Sequence, residues 1–372
     1  MMHGALLMNM KMKNKNLFVA LTLSALFVSC LGDNNENKNE PIEYTYSDAA
    51  WILCSGAEGQ DGSLLCYDYE KNALSKVAAS VGVSPSDAFA YGNKLYVVGS
   101  GSNMIYVIDK KSQRTLASIS TTQEMGEQEG ADPRQIVAYG NNVFVTTGGG
   151  YVAVLDTTSF NISRTYKVGS RPEGMSVGMN ASEQLLLYVA NSDDGGGNPS
   201  ISKINLATGS IDDLHFETLH NPRQLAVAGS DIYVLDWGYI DEDGTRKESG
   251  IYWLSDGSSR ILTSDAVDMD AAGYSIVSCS WAPSSRVPLF SVENIYYGSH
   301  NSYVWSAENT LPTTISLDPN SGNIWVGFRA VDGVSDGYVN VYTSGGQFIT
   351  KFDTGANPCR ITFSYSVGTY TY

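Results

Sequence analysis

Five charged side chains stand one or two residues after a proline, at the opening of a recurring unit: Asp87, Arg134, Glu173, Arg223 and Arg360. Three are arginines, on a chain with 23 basic and 39 acidic residues and net charge −16. A guanidinium fork holds carboxylate, amide or phosphate groups. The plainer alternative is that these groups satisfy backbone atoms or line a wet channel. A second set carries rings in variable segments. Trp237 and Tyr239 lie in 236–248 with Asp241, Asp243 and Arg246. Trp281, Phe290, Tyr296 and Tyr297 lie in 281–297, and Phe328 and Arg329 open 328–337. Rings of this kind suit stacking on a flat ligand or sugar.

Other chemistry finds less support. Asp241-Glu242-Asp243-Gly244 lacks the spacing of a calcium loop, because Glu248 falls too early to close it. A hairpin turn is expected there, and likewise at Asp193-Asp194-Gly195. The chain has 4 His, of which His215, His220 and His300 lie beyond the leader, without helical zinc spacing. Gly148-Gly149-Gly150 lacks the Gly-Lys-Ser/Thr ending of a phosphate loop, and no Gly-X-Ser-X-Gly elbow is expected, so a serine hydrolase finds no support. Binding is therefore preferred over catalysis, with no metal, cofactor or catalytic residue assigned. Cys54, Cys66, Cys279 and Cys359 leave open a Cys54–Cys66 bridge, a Cys54–Cys359 bridge or none, with buried thiols favoured.

The elements that must position these residues are strands. Of 372 residues, 42% are hydrophobic and only 17% charged, with 37 Gly and 23 Tyr. This composition supports a full core of strands and turns rather than long surface helices. The negative balance argues against nucleic acid as a partner. The length fits two domains or one large all-β domain.

One unit recurs: X-Pro, an apolar pair, a Gly or Asn turn, an apolar-Tyr-Val strand, a loop, a second alternating strand, then Asp. Pro85 leads to Leu95-Tyr96-Val97-Val98 and Ile105-Tyr106-Val107-Ile108-Asp109. Pro133 leads to Val143-Phe144-Val145 and Val152-Ala153-Val154-Leu155-Asp156. The openings at Pro85, Pro133, Pro172, Pro222, Pro312 and Pro358 are 48, 39, 50, 90 and 46 residues apart, and the long gap holds a degenerate copy from about Asp265. Four-stranded units of this length bury both faces by stacking radially. The expectation is an all-β, seven-bladed β-propeller over 49–372, with four antiparallel strands per blade. Three N-terminal strands within 51–78 and a C-terminal innermost strand, 360–366, close the last blade and remove an exposed edge.

The N-terminus reads as an address. Lys11, Lys13 and Lys15 precede an apolar run over 17–28, too short to span a bilayer. Leu26-Phe27-Val28-Ser29-Cys30 resembles a bacterial lipobox, which implies a lipoprotein signal peptide at 1–29 and lipidation of Cys30. Residues 30–48, rich in Asn, are expected to form a flexible tether. Loss of the three lysines takes the net charge from −16 to −19.

Tyr188-Val189-Ala190-Asn191, followed by Ile201-Ser202-Lys203-Ile204-Asn205 and Thr208-Gly209, resembles the YVTN-type β-propeller repeat, and Arg171-Pro172-Glu173-Gly174-Met175 matches its opening. With the lipobox, the chain resembles the YncE-like, DUF5074-type seven-bladed surface lipoproteins of Bacteroidetes. The resemblance implies a monomeric propeller, lipid-anchored to the outer membrane, that binds a small-molecule ligand on its channel face. Some such propellers capture cobalamin, a corrinoid, for a TonB-dependent transporter. Alternatives are a propeller enzyme (a lactonase or quinone-cofactor dehydrogenase) and a scaffold for protein partners.

Overall fold

The computed structural model describes residues 42–370 apart from 181, 229–230, 256–257, 283–286, 295–296 and 305–309. The expected signal peptide, Cys30 and the tether as far as residue 41 lie outside the described residues.

The described chain forms seven four-stranded antiparallel sheets and one two-stranded ribbon. In the first six sheets strand order follows chain order. Their first strands are Pro85–Tyr91, Pro133–Tyr139, Pro172–Met179, Pro222–Ala228, Ala266–Ala272 and Thr310–Leu317. The seventh is built from both ends of the described chain. Its first strand is Pro358–Tyr370, followed by Ile42–Cys54, Ser63–Asp68 and Ala73–Val77. Proline suits the first place in a strand because it has no N–H to donate to the ladder.

Second strands read as near-continuous apolar runs, as in Lys94–Gly99 and Asn142–Thr147, and they are buried on both faces. Outer strands such as Ala73–Val77 are mostly exposed. This contrast follows from stacking, since a sheet covered on both faces has no polar side to show. The core divides accordingly into layers between consecutive sheets. Tyr96, Val98 and Ile105 of the first sheet meet Ile136, Val143 and Leu155 of the second. Trp325, Val339 and Val341 of the sixth meet Ala50, Ile52, Ile361 and Phe363 of the seventh. Trp51, Leu53 and Leu64 of the seventh meet Ala88, Leu95 and Val97 of the first. First strands also touch in order, and Pro358–Tyr370 touches Pro85–Tyr91, so the contacts return to their start.

The thiols of Cys54, Cys66, Cys279 and Cys359 are all free. Cys54 packs toward the sixth sheet and Cys66 toward the first, so the two sit on opposite faces of one sheet.

The start of the domain differs from the sequence expectation. Residues 42–48 are strand rather than tether, because Ile42 to Ser47 pair with Tyr370 to Tyr365 beyond a bulge at Ser47/Ala49. The last strand likewise runs past 366 to Tyr370. Ser47 Oγ donates to Asp318 Oδ1 at 2.5 Å and Thr45 Oγ1 to Asn320 Oδ1 at 3.0 Å, which fastens this extension to the sixth sheet.

Close approach of first strands makes one glycine irreplaceable. A Cβ on Gly174 would lie 2.5 Å from Gln224 Cα of the next sheet. Gly174→Ala is expected to cost about 1–3 kcal/mol by overpacking and to lower the melting midpoint by roughly 2–10 °C. Calorimetry of the variant tests this, and an unchanged midpoint would refute the tight contact.

Candidate functional site

Each first strand enters its sheet with the same defect. Pro85 pairs with Gly99, yet Asp87 rather than Ser86 pairs with Val98. The same slip follows Pro133, Pro172, Pro222, Ala266 and Pro312, and Cys359 is the extra residue in the seventh sheet. A bulge of this kind bends the strand and re-aims a side chain. It lets two successive residues serve the space where first strands meet, which simple alternation forbids. A cavity of about 140 Å³ opens there. Five first strands supply Ser86, Arg134, Gln135, Glu173, Arg223, Gln224 and Val267, and the second strand of the fourth sheet and its loop add Leu235 and Trp237.

Glu173, only 3% exposed, ties the two arginines together. Its Oε1 lies 2.5 Å from Arg223 Nη1 and its Oε2 2.9 Å from Arg134 Nε. Further out, Asp132 lies 3.5 Å from Arg134 Nη1 and 3.2 Å from Arg171 Nη2, and Asp194 lies 3.6 Å from Arg223 Nη2. The guanidinium of Arg223 sits 4.7 Å from the Trp237 ring centre, and that of Arg246 5.3 Å from it. Arg223 Nε and Trp237 Nε1 are buried donors without a hydrogen-bond partner. Burial pulls Arg223 below its ordinary pKa although Glu173 opposes this. Burial acts on Arg134 too, but Glu173 and Asp132 outweigh it and hold that group higher. Removing Glu173 would strand buried charge at a cost of about 3–5 kcal/mol.

The other two expected residues do different work. Asp87, 4% exposed, accepts from Ile136 N of the second sheet at 2.9 Å and lies 3.0 Å from Arg360 Nε of the seventh. Asp268 accepts from Ile315 N at 2.7 Å and from Gln224 Nε2, while Gln224 Oε1 accepts from Met269 N at 3.0 Å. Asp270 accepts from Leu317 N at 3.0 Å. These groups lace neighbouring first strands, and Asp87 and Arg360 do not line the cavity. They stand one residue later than Arg134, Glu173 and Arg223 do, at the position that Gln135 and Gln224 occupy in the second and fourth sheets. Burial pushes the carboxyl of Asp268 up to about 6, against the pull of Arg360, and raises Asp87 and Asp270 as well. The same three carboxylates overcome burial to hold Arg360 above its usual value.

Among the described side chains of the expected aromatics, only Trp237 reaches the cavity. Tyr239, 40% exposed, stands on the ribbon Tyr239–Ile240 with Arg246–Lys247 and meets His220 edge-on at 5.0 Å. Phe328 is fully buried and stacks on Tyr338 between the fifth and sixth sheets, so it is a core residue rather than a ligand contact. Phe290 joins the same core, since Val287–Asn294 pairs with Ser275–Ala282 as a hairpin instead of forming a free excursion. Trp281 lies on that hairpin, and its side chain lies outside the described residues. Arg329, half-buried near the end of Ile324–Ala330, is outside the cavity lining.

Two turns settle on hairpin geometry. Asp241 Oδ1 accepts from Asp243 N and Thr245 N and so closes the ribbon turn, with Gly244 at φ +75. Contrary to expectation the Gly-X-Ser-X-Gly spacing does occur, at Gly174–Gly178 inside strand Pro172–Met179 and at Gly333–Gly337, but neither is a strand-to-helix turn: the second joins antiparallel strands, and Ser335 Oγ donates to Asp332 at 2.6 Å. The residues that sequence reading missed are Ser86, Gln135, Gln224, Val267 and Leu235 in the cavity lining and Asp268 and Asp270 outside it. Polar residues at a constant offset from the unit opening were the available signal.

No family model matches the sequence, and none of the curated proteins matches it. Among solved structures, Kuenenia stuttgartiensis hydrazine synthase is similar over 77% of this chain and 95% of its own, at 14% identity and TM-score 0.58. The WD40 repeats of RRP9 are similar over 73% of this chain and 82% of theirs, at 11% identity and TM-score 0.55. At such identities the likeness speaks to fold alone, and with the sheet layout it indicates a β-propeller.

The buried carboxyls set a pH dependence. Because Asp87, Asp268 and Asp270 have folded pKa values above their unfolded ones, the folded chain binds more protons between about pH 4 and pH 6. Stability from these groups therefore rises as pH falls through that window and is lost as pH rises. Urea midpoints across the window are expected to fall with increasing pH, and Asp268→Asn is expected to flatten the slope. A slope of opposite sign would refute this assignment.

Proposed function

We propose that the chain is a seven-bladed β-propeller lipoprotein of the cell envelope that captures a small polar ligand at one end of its channel. One observation carries this reading. Two residues that line the cavity, Arg223 and Trp237, each carry a buried donor, Nε and Nε1, that no protein group satisfies. Buried donors are ordinarily paired, so an unpaired couple on the residues of one cavity lining points to an acceptor from outside the chain. Seven four-stranded sheets and the return of first-strand contacts to their origin support seven blades. Envelope anchoring through Cys30 rests on the lipobox-like residues 26–30.

Nutrient delivery, with cobalamin as ligand and a TonB-dependent transporter as partner, is the specific form of this proposal. The cavity is comparable in size to one that takes a benzene ring. A macrocycle would therefore rest on the rim and insert a single amide arm. Stacking by Tyr239 at the rim, beside the ribbon, would then add to Arg223 and Trp237 below.

Two measurements test the proposal. Ligand-observed NMR with a pool of small polar compounds, and calorimetry with cobalamin, are expected to find binding that Arg223→Gln weakens about tenfold or more, a loss of about 1.4 kcal/mol. Binding that ignores Arg223→Gln and Trp237→Ala would place the site elsewhere, and no binding at all would sink the capture reading. Metabolic labelling with palmitate is expected to mark the full chain and to vanish in Cys30→Ser.

A further inference from the structure

Charge around the cavity is not balanced. Arg134, Arg171 and Arg223 bring three positive charges; Glu173 is shared between Arg134 and Arg223, and Asp132 between Arg134 and Arg171. Against these two carboxylates one positive charge is left over. The nearest compensation for Arg223 is Asp194, 63% exposed and 3.6 Å away. Asp194 sits in the turn Asp193–Gly195, where Asp193 and Asp194 adopt left-handed φ of +48 and +53. Two consecutive non-glycine residues in that region are held at a cost, and an exposed ion pair returns little of it. The rest of the lining is different. Leu235, Val267 and the Trp237 ring, beside the Arg223 guanidinium, give it an apolar part.

We propose that the cavity takes a planar monocarboxylate, an aryl or similar flat acid whose carboxylate replaces Asp194 on Arg223. This rests on the capture reading above, narrows it to one ligand class, and replaces its cobalamin form, whose amide arm would bring donors toward Arg223. The leftover charge matches one negative charge, whereas a phosphate dianion would leave the buried site net negative. Arg223 Nε and the indole N–H of Trp237 supply donors for the carboxylate oxygens. The ring of the acid packs on Trp237, and its edges meet Leu235 and Val267. The space is close in size to one that admits benzene. A neutral amide of the same shape would leave the positive charge unanswered and would bring two donors toward an arginine.

The test uses benzoate, benzamide and phenyl phosphate as probes against the chain from Cys30 onward, by calorimetry at low and moderate salt. Benzoate is expected to bind at least about tenfold tighter than the other two, with affinity falling as salt rises. Asp194→Asn, on an exposed turn, is expected to tighten benzoate about two- to fivefold and to leave benzamide unchanged. Trp237→Phe keeps the ring but removes the donor, and is expected to weaken benzoate several-fold. Benzamide binding as tightly as benzoate would overturn the charge assignment while leaving ligand capture intact. Phenyl phosphate binding tightest would overturn it in favour of a dianion. A tightening that fails to appear in Asp194→Asn would remove Asp194 from its role as stand-in. Should none of the three probes bind while another compound binds through Arg223, the planar acid falls and capture stands.

Discussion

The bulge that follows each strand-opening residue governs the rest of the molecule. A regular strand shows alternate residues to one side, so a first strand could offer the shared centre only one side chain per pair of positions. Inserting one residue gives the centre two in succession. In the first five sheets the inserted residue, as with Ser86, Arg134, Glu173, Arg223 and Val267, lines the cavity. The residue after it reaches sideways to a neighbouring strand in Asp87, Asp268 and Arg360, lines the cavity in Gln135, and does both in Gln224. One local irregularity thus places groups that line the cavity beside groups that fasten strands.

Fastening matters because the sheets share no backbone ladder with one another. What joins them is apolar packing, one layer between each pair, plus side chains that hydrogen-bond across first strands. The Asp87–Arg360 pair spans the junction between the sheet made from both ends of the described chain and the sheet that follows it. Chain connectivity helps least within that two-ended sheet, where residues 54 and 358 pair though far apart in sequence, and the tie fixes its C-terminal strand to the next sheet. A charged, buried tie at this place is costly to desolvate and strongly destabilising to break, so it resists mispairing more than it adds stability.

Much of this was legible in the sequence. Pro85, Pro133, Pro172 and Pro222 announced strand starts, and runs such as Leu95-Tyr96-Val97-Val98 announced buried second strands. The bulge was not legible, because it is a property of register against a partner rather than of either strand alone. For this reason Arg360 and Arg223 looked equivalent in sequence, though one ties strands and the other faces the cavity. Asp268 escaped notice because its unit opens with Ala266 in place of proline. Phe328 was misplaced by treating the end of an apolar strand as the start of a loop. Residues 42–48 were assigned to a tether because Glu, Thr and Ser alternate with Tyr there, and only the mate at 365–370 makes that pattern a strand.

The long first and last strands of the described chain have a mechanical meaning. Cys54 and Pro358 lie together at the cavity end, and Ile42 and Tyr370 lie together at the far end. A pull on whatever precedes Ile42, against a load held at the cavity, runs along the strand axis. Strand Ile42–Cys54 is bonded on one side to Pro358–Tyr370 and over part of its length to Ser63–Asp68 on the other. Such a force strains many hydrogen bonds together in shear instead of peeling them one by one. The geometry gives the molecule a stiff handle on the side opposite its opening.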